Sequence, residues 1–531
     1  MRATNQRCIR RVAAWRQGGS RVLILPMLLA GAGCGDIEGA DVDPPDIAVQ
    51  EGAVTATPSA LNPDKVLLVR DVSVVDRDFG TASDPARTVD PCKSTSEADA
   101  NRHWTFGYFM KQMALKSGMS ASDFAAGWLI RWGVTSLVWA TPAPGTVPFN
   151  PSTTLNEVID PEVAFQPTEG EDTVPGLILH LWRKASCMQA AGRDIEDPTV
   201  DSICPPDRVA TTPLAMNKAP FRLLAIVNRP DLRNVRYFGE GNAGELRFAF
   251  QILNPMARDL DGSGACTGLD GPGGSATEGQ NQLLILEYAA NKADPKAYER
   301  QWEALNTLTL NSSTYRNQLQ AITDSVVNSG AAPSNVNQSA LIRVRTNTTV
   351  TNSTWVLREF MIATNKGLEP VEVKQTPLPQ LNDHPEASNN PLLSNWANAN
   401  QMPILNQTHL VPSMYQGQRL RGFKGENSQF NTFWRMAGVS NNDVRHKLSL
   451  NTCSGCHGLE TGNGHFNNTG NAFAMILARH YRQRSVISSF ISGVGKDGQP
   501  YQISDPGNNN VKRSFNELKV RQTEMWNLIY R

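Results

Sequence analysis

One short segment near the C-terminus combines residue types that could hold a metal or a cofactor. Cys453, Cys456 and His457 stand in the order C-x-x-C-H within the sequence NTCSGCHGLETGNGHF. Two thiols three residues apart lie on one turn, so both can add to the vinyl groups of one haem, and the next imidazole can then ligate the iron. A chance occurrence in a chain of this composition is expected only about 0.002 times. The pattern therefore predicts a chemical role.

Two other kinds of site could use the same residues. The two cysteines could close a disulfide, and His457 would then have no part in the chemistry. Alternatively, Cys453 and Cys456 could bind zinc together with one or both of His457 and His465, although the chain has no second cysteine pair at zinc-finger spacing. The three alternatives differ in the cellular compartment that suits them, so the N-terminus bears on the choice.

The N-terminus has the pattern of an export signal. Six arginines precede a short apolar run at residues 22–30, and no acidic residue occurs before Cys34. The run is too short to cross a bilayer as a helix. Its end, LAGAGC at residues 29–34, resembles the lipobox of bacterial lipoproteins, with Gly31 where that family usually has leucine. The resemblance implies cleavage after residue 33 and a lipid on Cys34, whereas ordinary signal cleavage would leave Cys34 unmodified.

Export favours the haem interpretation, because c-type haem is attached outside the cytoplasm. The segment around Cys453 resembles the haem-binding region of c-type cytochromes. The resemblance implies one covalent haem c, with thioether bonds to Cys453 and Cys456 and with His457 as an axial ligand of the iron. For the second axial ligand we predict His480, and an open position is the alternative. Further candidates in the sequence are His465, Met475 and Met525.

Composition divides the chain into four parts. Residues 1–33 are the signal, and residues 34–63 are an acidic, proline-rich tether. Residues 64–440 are expected to form a large body of unknown role, and residues 441–531 a small helical module similar to a c-type cytochrome. The result would be a lipoprotein anchored to a membrane through Cys34 and located in the periplasm or at the cell surface.

The body has the sequence pattern of an α+β fold with a mainly antiparallel sheet. Alternating or continuous apolar residues predict strands at 223–227, 245–253, 283–288, 341–345 and 355–362. Between and before them, helical periodicity predicts helices, one of which begins at a capping box of Ser120 and Asp123. A second capping box, of Ser514 and Glu517, predicts a terminal helix. Clusters of strands and of helices are typical of α+β proteins.

Four further cysteines lie in the body. In an oxidising compartment they predict up to two disulfides, and the sequence leaves all three connectivities open. These cysteines are Cys92, Cys187, Cys204 and Cys266.

No other motif offers comparable chemistry. The chain lacks G-x-S-x-G, H-E-x-x-H and Walker sequences. The glycine-rich run at 239–244 precedes an alternating segment rather than a helix, so it predicts a turn between strands. The net charge of zero and the pI near 7.1 give no sign of a nucleic-acid partner.

The sequence therefore predicts an electron-transfer protein with a redox partner protein, rather than a catalyst. The alternative is a non-enzymatic surface lipoprotein in which the two motif cysteines form a disulfide.

Overall fold

The structure is a computed structural model of the 531-residue chain. It describes residues 57–76, 80–89, 96–138, 174–193, 199–233, 241–253, 282–350, 354–364, 367–382, 391–427, 433–462 and 484–531. The region from Val49 to Arg531 forms one compact unit. The predicted signal and Cys34 lie outside the described residues.

The strands build one large sheet and two small hairpins. In chain order they are β1 (Leu68–Val69), β2 (Phe221–Arg229), β3 (Glu245–Ile252), β4 (Leu283–Ala289), β5 (Leu341–Val350), β6 (Thr354–Ala363), β7 (Gly367–Val371), β8 (Met414–Tyr415), β9 (Gln418–Arg419), β10 (Gly425–Asn427), β11 (Gln502–Asp505) and β12 (Asn508–Ser514). Among the described residues, the large sheet has the order β1-β2-β3-β4-β5-β6-β10, and β7 also pairs with β6. All of these pairs are antiparallel.

The helices are distributed along the whole chain. They are α1 (Pro63–Val66), α2 (Val72–Val75), α3 (Phe106–Ala114), α4 (Ala121–Val138), α5 (Val174–Ala190), α6 (Val200–Ile203), α7 (Pro206–Thr211), α8 (Pro295–Ala304), α9 (Ser313–Val327), α10 (Leu392–Ala399), α11 (Gln401–Leu405), α12 (Asn442–Asn451), α13 (Cys453–Cys456), α14 (Ser489–Ser492) and α15 (Glu517–Tyr530). Within the described part of the chain, none is long and apolar enough to cross a membrane. Helices and antiparallel strands together confirm the predicted α+β class.

One face of the sheet, which we call the inner face, carries the main hydrophobic core. Alternate residues of β3, Leu246, Phe248 and Phe250, belong to this core and are almost completely buried. The longest helix over it, α4, begins at the predicted capping box, in which the Asp123 amide donates to Ser120 Oγ at 3.0 Å. The five predicted strands correspond to β2–β6, so the sequence pattern is confirmed across the centre of the sheet.

The opposite, outer face is covered by the C-terminal part of the chain. Ala225 and Val227 on β2 share a hydrophobic cluster with Phe490, Phe515 and Leu518. The last ninety residues contain helices but also the hairpin β11–β12. They belong to the same compact unit as the sheet, and a separate cytochrome-like module stays a prediction.

The predicted cap of the terminal helix is wrong by two residues. Ser514 is the last residue of β12, where it lies opposite Gln502 on β11. Because the hairpin extends this far, α15 begins later, and its cap is Asn516, whose Oδ1 accepts a hydrogen bond from the Lys519 amide at 2.9 Å.

Candidate functional site

The C-x-x-C-H motif forms one short, capped turn. Helix α13 contains the motif from Cys453 to Cys456, and the Oγ1 of Thr452 caps it by accepting a hydrogen bond from the Gly455 amide at 2.9 Å. The His457 amide donates to the Cys453 carbonyl at 2.9 Å and closes the turn. Gly455 is required for close packing, because a Cβ there would overlap the carbonyl oxygen of Ser449 at the end of α12.

Side chains of the body hold this turn from outside. The Cys453 amide donates to Thr376 Oγ1 at 3.0 Å. The side-chain amide of Asn427, on β10, lies 3.3 Å from the Ser454 carbonyl and 3.2 Å from the His457 carbonyl, to which it donates. Trp434 Nε1 donates to Ser454 Oγ at 3.0 Å. The motif is therefore positioned by hydrogen bonds from the large sheet and from the segments that follow it.

The imidazole of His457 lies against an aromatic ring of the sheet. Its centroid is 4.5 Å from that of Trp355, and the two rings are inclined by only 19°. Trp355 is on β6 and is 1 % exposed. Such a parallel arrangement restricts rotation of the smaller ring.

Both motif thiols are free, and Cys453 is buried while Cys456 is partly buried. Cys453 packs with Trp355, Leu357 and Val373, while Cys456 lies against the outer-face cluster that includes Val227. Burial raises the pKa of Cys453 to about 11, and it also raises the pKa of Cys456. The thiols are consequently neutral and poor nucleophiles at neutral pH in this folded state.

A buried row of alternating charges crosses the outer face beside the motif. Arg247 pairs with Glu245 at 2.6 Å and with Glu287 at 3.1 Å. Arg345 connects Glu287, at 3.1 Å, to Glu359, at 2.9 Å. These three glutamates are at most 2 % exposed. We call this set of five residues the ion-pair row.

The charges of the ion-pair row influence the pKa of the motif cysteine Cys453. Burial alone would raise the pKa of Glu287, but Arg247 and Arg345 outweigh burial and lower it. Among the charged groups around Cys453, Arg345 is the one that most lowers its pKa. Arginines therefore face the cysteine turn from the sheet, in a region that excludes water.

A second buried network joins α12 to the segment that follows the motif. Arg445 on α12 forms two hydrogen bonds with Glu460, at 2.8 and 2.9 Å, and contacts Asp505 at 2.6 Å. His446 Nδ1 lies 2.5 Å from Glu460 Oε1. Burial would raise the pKa of Glu460, but the hydrogen bonds from His446 and Arg445 lower it.

This network also has the composition of a metal site, because His446, Glu460 and Asp505 place their donor atoms within 4.8 Å of one another. The Arg445 guanidinium, however, pairs with both carboxylates and takes the place of a cation. The network is therefore a structural clamp between α12 and the segment after the motif.

The remaining predicted site residues divide between described and undescribed parts of the chain. His465, Met475 and His480 lie outside the described residues, as do Cys92 and Cys266. Cys187 and Cys204 form a disulfide with an S–S distance of 2.07 Å. Met525 is completely buried in the main core.

The body residues that hold the motif were not predicted from the sequence. Trp355 was recognisable only as part of a strand, and neither Asn427 nor Thr376 belongs to a motif. No local signal marks them, since their role arises from contacts between distant parts of the chain.

Comparisons of the chain with protein-family models, with curated proteins and with solved structures found no match.

Proposed function

We propose that this protein is a cell-envelope lipoprotein that binds one covalent haem c and transfers electrons to or from a redox partner protein. The observation that carries the proposal is the C-x-x-C-H turn, in which two free thiols and a stacked imidazole occupy five consecutive residues. Bound there, a haem iron would supply one-electron oxidation and reduction.

The side chains present fit such a group. Cys453 and Cys456 would form the thioether bonds, and His457 would ligate the iron. On α15, Arg521 is 4 % exposed, and its Nε lies 4.0 Å from Asp231 without a hydrogen-bond partner among the described residues. Burial and Arg229 lower the pKa of Arg521 to about 9, so an added carboxylate, such as a haem propionate, would stabilise its charge.

The burial of the thiols specifies when the haem would be attached. Thioether formation needs access to both sulfurs, yet in the folded chain the neighbouring side chains cover Cys453 and partly cover Cys456. Attachment must therefore precede completion of folding. This order agrees with export of an unfolded chain, followed by loading outside the cytoplasm.

The anchor and the second iron ligand belong to the same proposal. Cys34 would carry the lipid, and the acidic segment after it would separate the folded unit from the membrane. His480 is our candidate for the second axial ligand.

The first experiment tests covalent haem. The full chain is expressed in a bacterial host with and without haem-maturation machinery, and the product is examined by haem staining after denaturing electrophoresis. We expect a stained band only with the machinery, and its loss in the double variant C453A/C456A. The matched control is C187A/C204A, which removes two other cysteines and should keep the stain.

The opposite result has a defined meaning. A colourless wild-type protein, with Cys453 and Cys456 joined in a disulfide, would refute haem binding and favour a non-enzymatic surface lipoprotein. A stained C453A/C456A variant would show that the haem is attached elsewhere.

The second experiment tests the anchor. Cells are labelled with a fatty-acid analogue, and the protein is recovered and examined for the label. Incorporation should occur in the wild type and in C187A/C204A, but not in C34A. Equal labelling of C34A would rule out Cys34 as the lipidated residue.

A further inference from the structure

The imidazole of His457 is held by a part of the chain that is remote from the motif. Trp355 stacks on it with a centroid distance of 4.5 Å. The Trp355 ring is itself fixed, because its Nε1 donates to the side-chain oxygen of Asn347 on β5. Trp355 also lies opposite Asn427 in the pairing of β6 with β10.

The backbone of His457 is held by the same pair of strands. Asn427 donates from one amide group toward the carbonyl oxygens of Ser454 and His457. Both the peptide and the ring of His457 are thus held by residues of β6 and β10. Cys453 packs against Trp355 as well, so the same side chain contacts the first thiol and the imidazole of the motif.

We propose that Trp355 is a positioning residue that fixes the plane of His457 for iron ligation. This inference rests on the proposed haem function. A ligand attached to the chain only through Cβ can rotate about its side-chain torsions, and neighbouring groups that stop this rotation strengthen the metal bond. The close, nearly parallel contact between the two rings performs this task. It also gives the body a role, since the sheet supplies the surface that orients the axial ligand.

The test compares three variants produced with haem-maturation machinery. W355L removes the aromatic ring, and W355F keeps a ring but loses the bond to Asn347. The matched control is W396L, because Trp396 is a buried tryptophan (4 % exposed) of a separate hydrophobic cluster. All three should retain covalent haem by staining, since attachment depends on the cysteines.

The quantity measured is the strength of the bond between His457 and the iron. Three measurements report on it: the affinity for added imidazole, the spin state in electron paramagnetic resonance, and the midpoint potential. W355L should bind added imidazole about tenfold more tightly than the wild type, the size usual for losing an orienting partner of a metal ligand, and should show mixed spin states. W355F should lie close to the wild type, and W396L should match it.

A haem-independent readout uses protein labelled at histidine in the C453A/C456A background. Ring protons of His457 should be shifted upfield by the Trp355 ring current, and W355L should abolish the shift. W355L spectra identical to the wild type, or equal changes in W355L and W396L, would overturn the positioning role. A wild-type protein without haem would instead refute the proposed function, and the inference with it.

Discussion

Glu299 is the clearest case of a single group whose chemistry is set by burial. It is completely buried on α8, and the side-chain amide of Asn228 donates to one of its oxygens at 2.9 Å. Its other oxygen has no hydrogen-bond partner among the described residues. Burial raises the pKa of Glu299 to about 8, against the smaller opposing effects of Asn228 and Arg233. The carboxyl is therefore protonated at neutral pH.

This protonation predicts a specific pH dependence of stability. The unfolded chain releases the proton near the ordinary glutamate pKa, about 4.3, while the folded state holds it until about pH 8. Between these values the folded state binds more protons, so the free energy of unfolding falls as pH rises. E299Q lacks the titrating carboxyl, so its free energy of unfolding should not show this fall. Relative to the wild type, the stability of E299Q should therefore increase from pH 5 to pH 8. Urea unfolding at several pH values measures the two slopes, and parallel slopes would contradict the assignment.

At the scale of one element, the cysteine turn shows what the sequence could and could not predict. The spacing of Cys453, Cys456 and His457 predicted that they share a turn, because the C-x-x-C-H pattern is local. The Trp355 stack and the Asn427 hydrogen bonds were not predictable, since they join strands to a helix far along the chain. Local patterns determine the turn, but tertiary packing determines what it faces.

Gly455 provides a test of how tightly the turn is packed. In G455A the added methyl group would overlap the Ser449 carbonyl and force α13 away from the end of α12. We expect a loss of about 1–3 kcal/mol in the free energy of unfolding, as is usual for overpacking. Urea unfolding measures the loss.

The matched control for this change is G133A on α4. A methyl group there would meet Pro175 at an ordinary 3.7 Å, and alanine favours a helix by up to about 1 kcal/mol over glycine. G133A should thus be neutral or stabilising. Equal effects of the two substitutions would show that the turn has room to adjust.

At the scale of the whole molecule, the outer face of the sheet is buried, although the polar residues of its strands would suggest a face exposed to water. Along β3, Leu246 and Phe248 belong to the main core, whereas Glu245 and Arg247 form an ion pair on the other face. In an antiparallel sheet such polar residues commonly face water. Here they are largely buried, because the C-terminal part of the chain covers them. The strands were therefore predictable, whereas the second buried layer was not.

This second layer makes the ion-pair row essential to the fold. Charges removed from water are stable only while each keeps its partners. Glu359 is fully buried and accepts contacts from Arg343 at 3.2 Å, from Arg345 at 2.9 Å and from the Lys374 amide at 3.1 Å. E359Q keeps the shape of the side chain but leaves the buried Arg345 and the partly buried Arg343 short of a negative charge. We expect it to cost about 3–5 kcal/mol in the free energy of unfolding.

D201N is the control that shows how much of the stability loss in E359Q is due to burial of the ion pair. Asp201 pairs with Lys184 at 2.7 Å, but its side chain is 87 % exposed. Water already stabilises the Asp201 carboxylate there, so the loss should stay below about 1 kcal/mol. Denaturant unfolding of both variants gives the two losses directly. A cost for E359Q as small as that for D201N would mean that water reaches the row, and the outer face would then be an open surface rather than a buried support for the cysteine turn.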